Sequence, residues 1–381
     1  MSNPGAGVPR VLHCHSSFSA GGKELRCVQL INAFGRNLSH SIVSGVPGEM
    51  SAGSRISRAV QVDYPGDFPR LQGSPTPGRL LRLARAMKSY DLVLTYNWGA
   101  MDAVMAHTLF SDALGLPPLI HHEDGFNEDE AGKRKLGRNW YRRIGLGKAA
   151  GLVVPSEQLE GIALVDWQQP IGRVKRIPNG IDTAAFARPP QPDGLRGIVK
   201  REGEFWIGTL AGLRRVKRLD ALVRAVSTLP EDWHLVIAGQ GPEKDAIRKE
   251  AERLEISHRV HLPGQVDDPA RIVGLFDIFA LSSQSEQFPI SVVEAMAAGL
   301  PVAAPAVGDI AAMVAEENAP FVVAPNNESA LAEALQVLAH DAELRIAVGD
   351  ANRARARAQF DEKRMIDSYR RLYASAMGRE I

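Results

Sequence analysis

Ser285-Glu-Gln-Phe-Pro-Ile-Ser-Val-Val-Glu-Ala-Met-Ala-Ala-Gly-Leu-Pro-Val302 is the stretch on which the reading of this chain turns. An apolar run at residues 278–282 precedes it, a helical apolar pattern at 292–298 fills it, and a second apolar run at 302–304 closes it. Strand, helix and strand at that spacing make a right-handed crossover between parallel strands. Two carboxylates stand within it. Glu286 lies in the loop after the first strand, and Glu294 follows eight residues later in the opening turns of the helix. A carboxylate accepts hydrogen bonds in pairs, which suits the vicinal hydroxyls of a sugar or ribose. The loop through Gln287 to Ile290 opens the helix, where unpaired N–H groups suit a phosphate or sugar oxygen. Acidic residues also favour the first turns of any helix through its dipole, so spacing alone leaves both readings open.

Outward from this stretch the same alternation repeats. In the second half, residues 205–210, 234–238, 260–262, 278–282, 302–304 and 321–323 read as strands. Helical patterns at 218–228, 243–254, 292–298 and 329–340 lie between them. In the first half the strand candidates are 11–15, 41–46, 91–96, 118–122, 151–156 and 174–178. Leu25, Val28, Ile31, Ala33 and Phe34 recur at helical spacing, and further helical patterns run over 79–88 and 99–109. Strands apolar on both faces, alternating with helices, predict parallel sheets covered on both sides. Residues 187–195, with three prolines and a glycine, read as a linker between two such α/β domains. Residues 361–377 read as a last amphipathic helix carrying Met365, Tyr369, Leu372 and Tyr373. Two doubly wound domains facing across a cleft are expected, with ligands at the carboxyl ends of the strands.

Composition removes several classes of function. Forty-five Lys and Arg against forty-four Asp and Glu give nucleic acid no overall attraction. Two cysteines, Cys14 and Cys27, exclude a disulfide framework and fit a reducing compartment. The N-terminus lacks the apolar core of a signal peptide, and no run reaches the ~18–20 apolar residues that span a bilayer. A cytoplasmic protein is expected. No Asp-x-Asp occurs, and Gly239-Gln240-Gly241 lacks the third glycine of a dinucleotide fingerprint. Gly22-Lys23 is followed by Glu24, so it is not a Walker loop.

Four further clusters bear chemistry. Arg214, Arg215, Lys217 and Arg218 put four cations in five positions after a strand, a natural diphosphate site or a solvated basic turn. His121-His122-Glu123-Asp124 ends another strand; adjacent strand residues point to opposite faces, so a shared metal ion is not expected. Gly21 and Gly22 follow the first strand, where backbone N–H groups can approach a ligand. Residues 133–148 hold seven Lys or Arg and no acid, interleaved with Leu136, Trp140, Tyr141 and Ile144. As a helix this segment would face an anionic membrane or lipid with Arg134, Arg138, Trp140 and Arg142, or pack its apolar stripe on the sheet.

The Glu286/Glu294 spacing and its Glu-Ala-Met-Ala-Ala-Gly-Leu-Pro-Val continuation resemble the E-x7-E signature of retaining glycosyltransferases of the GT-B fold, the large GT4 family (glycosyltransferase group 1). Gly21-Gly22-Lys23-Glu24, Pro178-Asn179-Gly180-Ile181-Asp182 and Gly239-Gln240-Gly241-Pro242 extend the resemblance over nearly the whole chain. It implies an acceptor domain at 1–186, a linker at 187–195, a nucleotide-sugar domain at 196–360 and a helix, 361–381, returning to the N-terminal domain. Glu286 would bind the donor sugar hydroxyls, Glu294 the ribose, and Lys217 the leaving diphosphate. Backbone amides near Phe288, Pro289 and Ile290 would line the transferred sugar, and Pro289 itself has no N–H to give. Gly21 and Gly22 would lie near the donor, and Gly22, Lys23 and Asn97 near the acceptor. Either Asp124 or His122 would face the sugar. The family's usual Arg five positions before the lysine is replaced here by Gly212, leaving Arg214 or Arg215 to supply the charge. The implied reaction uses a UDP- or GDP-sugar and no metal or other cofactor. Its acceptor is a glycan or a lipid-linked acceptor, with peripheral contact to anionic membrane and no nucleic acid. An epimerase or phosphorylase of the same fold, or a catalytically silent sugar-nucleotide-binding subunit, are the alternatives.

Overall fold

The computed structural model describes residues 7–46, 48–126, 130 and 135–381. The chain forms two compact units, Met1–Pro178 together with Met365–Ile381, and Asn179–Arg364.

The N-terminal unit carries strands β1 (Arg10–His15), β2 (Ser39–Ser44), β3 (Val62–Asp63), β4 (Leu92–Tyr96), β5 (Leu119–His122), β6 (Gly151–Val154) and β7 (Val174–Arg176). They form one parallel sheet in the order β3-β2-β1-β4-β5-β6-β7. Helices α1 (Gly22–Phe34), α2 (Pro77–Met87), α3 (Met101–Leu114), α4 (Leu136–Gly145) and α5 (Glu157–Val165) supply the crossovers. Every residue of β4, β5 and β6 is buried, as continuous apolar strands between two helical layers require. The strand order reverses between β1 and β4, which puts a ligand-accepting edge at their carboxyl ends.

The C-terminal unit repeats the plan. Strands β8 (Phe205–Leu210), β9 (Trp233–Ala238), β10 (Val260–Gly264), β11 (Ile278–Ala280), β12 (Val302–Pro305) and β13 (Val322–Val323) lie in the order β10-β9-β8-β11-β12-β13. Its helices are α6 (Thr183–Phe186), α7 (Leu219–Ser227), α8 (Lys244–Arg253), α9 (Ile290–Ala298), α10 (Ile310–Met313), α11 (Glu328–His340) and α12 (Ala342–Gln359). Here the order reverses between β8 and β11, the two strands whose following loops hold Lys217 and Glu286.

The proline-rich segment 187–195 is not a free linker. Gln191 N–H donates to the Arg271 carbonyl at 2.7 Å, and Leu195 is buried in the core of the C-terminal unit. The boundary instead falls at Pro178, because Ile181 bridges to Asp361 and Thr183 Oγ1 donates to the Asp361 carboxylate at 2.6 Å. The last helix, α13 (Glu362–Met377), places Met365, Tyr369 and Tyr373 in the core of the N-terminal unit.

Candidate active site

Lys217 and Glu286 meet at the strand reversal of the C-terminal unit. Lys217 Nζ lies 2.5 Å from Glu286 Oε1, and Ser283 Oγ donates to the same oxygen at 2.7 Å. Their side chains are 22% and 11% exposed, so the pair is shielded yet reachable. Two main-chain bridges tie the loops together: Ser282 Oγ donates to the Lys217 carbonyl, and Gln284 N–H donates to the Val216 carbonyl. From the other side Gly308 presses on the acid loop. A Cβ there would stand 2.6 Å from the Glu286 and Gln287 carbonyl oxygens, and its φ of +58° also favours glycine.

Gly239-Gln240-Gly241 acts on the basic loop in a similar way. A Cβ on Gly241 would meet the Leu213 carbonyl at 2.3 Å, and Leu213 N–H donates to the Gln240 carbonyl. These glycines therefore serve close backbone packing that fixes the Ala211–Leu213 turn, from which Lys217 projects one short helical turn later.

Glu294 occupies the second turn of α9. No hydrogen bond or ion pair holds its carboxyl among the described residues, and burial pushes its pKa up to about 7. A shielded carboxyl without a partner is costly unless a ligand supplies one. Phe288 packs edge-on against Phe360, and Pro289 caps the N-terminus of α9, so Ile290 opens the helix.

Arg214, Arg215 and Arg218 line a pocket of about 610 Å³ together with Glu243 and Gln284. Arg218 is paired with Asp220 and Glu328, whereas no ion pair engages Arg214 or Arg215 among the described residues. Adjacent residues in an extended loop would face opposite ways, yet both arginines reach this wall, because the chain enters a tight helical turn at Arg215. Arg214 Nε stands 3.7 Å from where a Cβ on Gly212 would lie. The Arg214 side chain thus runs alongside the bare backbone at Gly212, at ordinary contact distance.

In the N-terminal unit, Gly21 caps α1, and a Cβ there would sit 2.8 Å from the carboxylate of Glu24, which is itself paired with Lys23. Asp124 forms a two-pronged ion pair with buried Arg26, and its N–H donates to Asn97 Oδ1 at 2.8 Å. Asn97 holds φ 55° and ψ −174°, a conformation that costs about 1–3 kcal/mol outside glycine and that clusters at functional loops. His122 does not face a sugar. Its ring is 1% exposed, with Nδ1 on the Thr95 carbonyl at 3.2 Å and Nε2 on Tyr373 Oη at 3.0 Å. Burial, and then the Arg26 charge, hold its pKa well below the ordinary imidazole value. It is a neutral core histidine, and of the two candidates only Asp124 remains partly accessible.

Helix α4 reverses the expected arrangement of its faces. Arg142 is fully buried: Nε donates to Glu123 at 3.0 Å, Glu130 lies 3.4 Å away, and the rings of Trp98, Phe126 and Trp167 surround the guanidinium. Arg142 is therefore not a surface cation. Arg138 pairs with Glu130 and lies over Trp98, with its side chain only 20% exposed. Leu136, Trp140 and Ile144 instead turn outward, 76%, 58% and 54% exposed. Two enclosed carboxylates outweigh the apolar stripe, because an unpaired buried acid costs more than exposed hydrocarbon. Arg134 lies outside the described residues.

Residues 195–355 match the family model described as Glycosyl transferases group 1, and residues 20–185 that of Glycosyltransferase Family 4. The chain belongs to the GT4-type glycosyltransferases. It is 27% identical over 202 residues to the N-acetyl-alpha-D-glucosaminyl L-malate synthase of Bacillus anthracis, across 52% of this chain and 53% of that protein. It thus spans about half the length of that relative. A D-inositol 3-phosphate glycosyltransferase of Xylanimonas cellulosilytica is 26% identical over 419 residues, covering 96% of this chain and 97% of that one. In structure it is similar to Anabaena HepE, solved in complex with UDP, with a TM-score of 0.78 at 20% identity over 96% of this chain and 100% of that one. These likenesses make each unit's parallel sheet one half of a GT-B fold.

For this family member, sequence reasoning did not single out Ser283, Gly308 or Arg26. Ser283 and Gly308 act on the backbone and oxygen of Glu286, and only the Ser282-Ser283 pair after a strand hinted at it. Arg26 lies inside an amphipathic pattern, ninety-eight positions from its partner Asp124, a separation no local signal spans.

Proposed function

We propose that this chain is a retaining, metal-independent glycosyltransferase moving a sugar from a UDP- or GDP-sugar to a hydroxyl of a glycan or lipid-linked acceptor. The observation that carries this reading is the Lys217–Glu286 pair at the strand reversal of the C-terminal unit, with Glu294 half-buried on the helix that follows. An arriving diphosphate competes for Lys217, whose charge stabilises the leaving group as the anomeric carbon–oxygen bond breaks. The acceptor oxygen bonds the anomeric carbon on the same face, and its proton passes to the departing phosphate oxygen. Glu286, released from Lys217, accepts hydrogen bonds from the sugar hydroxyls, and Glu294 holds the ribose. No Asp-x-Asp is present to recruit a cation, and the nucleotide-sugar is a co-substrate rather than a cofactor. A thermal-shift panel of UDP- and GDP-sugars identifies the donor, since a ligand that binds only the native state raises apparent stability. Product NMR then reads the anomeric configuration with and without EDTA. Inversion of configuration, or loss of activity with EDTA and rescue by Mg²⁺, contradicts the reading.

We also infer that α4 lies against an anionic bilayer through Leu136, Trp140 and Ile144, with Arg143 stacked 4.9 Å over Trp140 and Lys135 exposed beside them. No helix among the described residues is long and apolar enough to cross a membrane. Sedimentation with phosphatidylglycerol vesicles should fall severalfold in Trp140→Glu; equal recovery of variant and wild type removes the bilayer contact.

A further inference from the structure

The first strand brings three metal-ligating side chains together in the core of the N-terminal unit. His13 and His15 sit two apart on β1, so both rings leave the same face of the sheet. Cys27 lies on the buried face of α1, in the core cluster that also holds Val11 from that side of β1. His13 Nδ1 stands 3.4 Å from Cys27 Sγ, and one ligand atom from each of the three residues lies within 4.8 Å of the others. Bonds of ~2.0–2.1 Å to nitrogen and ~2.3 Å to sulfur around a tetrahedral ion separate the two ligand atoms by about 3.5 Å. The His13–Cys27 pair already has that spacing.

His15 supplies an independent sign of a ligand. Its side chain is completely buried, yet neither ring nitrogen has a hydrogen-bond partner among the described residues. A buried imidazole left with an unpaired donor and an unpaired acceptor is costly. The ring is held in place, with Tyr96 stacked on it at 3.9 Å and Phe18 packed at 4.8 Å. The surroundings suit an ion as well. His13 Nε2 lies 3.0 Å from His40 Nδ1, so with Nδ1 on a metal the other N–H donates to His40, the outer contact that orients a ligating imidazole. Tyr96 Oη, 3.1 Å from His13 Nδ1, offers an oxygen for a fourth position. Burial, its largest cause, holds both imidazoles well below their ordinary pKa, which leaves each a lone pair to give. Burial also pushes the Cys27 thiol up to about 12, so without an ion it is inert as a nucleophile.

Charge and softness select the ion. Lys23 and Arg26, the cations that act on His15, are paired with Glu24 and Asp124. We propose that His13, His15 and Cys27 bind one thiophilic d10 ion, Zn²⁺ or Cu⁺, as a structural clamp between β1 and α1. On binding, the Cys27 thiol gives its proton to solvent and a sulfur electron pair to the metal. The thiolate leaves one net positive charge around Zn²⁺ and none around Cu⁺. Mg²⁺, which seeks oxygen ligands, has no place on two imidazoles and a thiolate. The clamp lies in the N-terminal unit, whereas Lys217 and Glu286 lie in the other, so it takes no part in sugar transfer.

Metal analysis of the full chain tests this. The protein is purified from cells grown with added zinc, copper or cobalt in turn, passed through EDTA, desalted and analysed for metal. Wild type should retain about one Zn²⁺ or one Cu⁺ per chain and no Mg²⁺, and growth with both metals together tells which the site prefers. The cobalt form should show thiolate-to-cobalt charge transfer in the near ultraviolet, which requires a bound cysteine sulfur. Loaded protein should melt several degrees above protein from chelated medium. Cys27→Ser and His15→Gln should each lower retained metal at least ~10-fold. Cys14→Ser, on the opposite face of β1, should keep it in full. Less than about 0.1 ion per chain in wild type with every metal overturns the proposal. So does a cobalt form without the charge-transfer band, or metal retained in full by both Cys27→Ser and His15→Gln. The wild-type cobalt spectrum decides even where a variant fails to fold, and none of these readouts depends on glycosyl transfer.

Discussion

Lys217–Glu286 and Arg142–Glu123 are both acid–cation pairs that close over a loop after a parallel strand, and they serve opposite ends. The first is 22% and 11% exposed, shares its carboxylate with a serine, and can part to admit a ligand. The second is fully buried, with Glu130 and three aromatic rings around the guanidinium, and can admit nothing. Residue type does not separate the two cases; what does is whether the surrounding chain leaves the pair a route to solvent. A charge that ligands can reach is available for chemistry, whereas an enclosed one spends its interaction on the fold.

That contrast breaks first under mutation of the buried pair. Arg142→Ala strips buried Glu123 of its guanidinium partner, while Arg138 still holds Glu130, and should destabilise the N-terminal unit by about 3–5 kcal/mol. Chemical denaturation checks this, and a loss below about 1 kcal/mol would mean the pair is not enclosed. Glu286→Ala should do the contrary: turnover falls by ~10² or more, because its sugar contacts tighten in the transition state, while the melting midpoint stays close to wild type. A variant that turns over within a few-fold of wild type puts the donor sugar elsewhere.

The same contrast explains what was legible beforehand. Strands such as 91–96 and 205–210 announced themselves as apolar on both faces, and doubly wound sheets followed from their alternation with helices. The helix Ala342–Gln359 did not, because its buried face is made of Val348, Gly349, Asn352 and Ala356, too small and mixed to form an apolar stripe. β3 is only two residues long, below any periodic signal. Glu286, Glu294 and Lys217 stood out because they follow strands in short, recognisable runs. His122 and Arg142 misled because a histidine at a strand end and an arginine on a basic helix look exposed until distant partners, Tyr373 and Glu123, are in place. Long-range pairing is the part of a site that spacing does not reveal.

Glu294 sharpens the comparison through pH. Burial raises its folded-state pKa to about 7 from an ordinary 4.5, so the native state holds a proton that the unfolded chain has lost. Stability should therefore decline as pH rises from about 4.5 to 7, with the penalty fully present above 7. Glu294→Gln should remove a penalty of about 1–3 kcal/mol at pH 8 and little at pH 4.5. An equal effect of the substitution at both pH values contradicts a carboxyl whose pKa is raised by burial. Smaller again is the expected effect on the basic pocket. Arg214→Ala should lower kcat/KM about tenfold and Arg215→Ala less than about threefold, since it is Arg214 whose guanidinium lies beside Gly212. Near-neutral kinetics in both would leave the diphosphate to Lys217 and backbone amides.

The central claim is that Lys217 at the strand reversal holds the donor diphosphate, and calorimetric titration of UDP and GDP into wild type and Lys217→Ala tests it most directly. The account predicts that wild type binds one of the two nucleotides and that Lys217→Ala loses at least ~10-fold in affinity, the worth of one charge-assisted contact, with an unchanged melting midpoint. Equal affinity in the two proteins would contradict it.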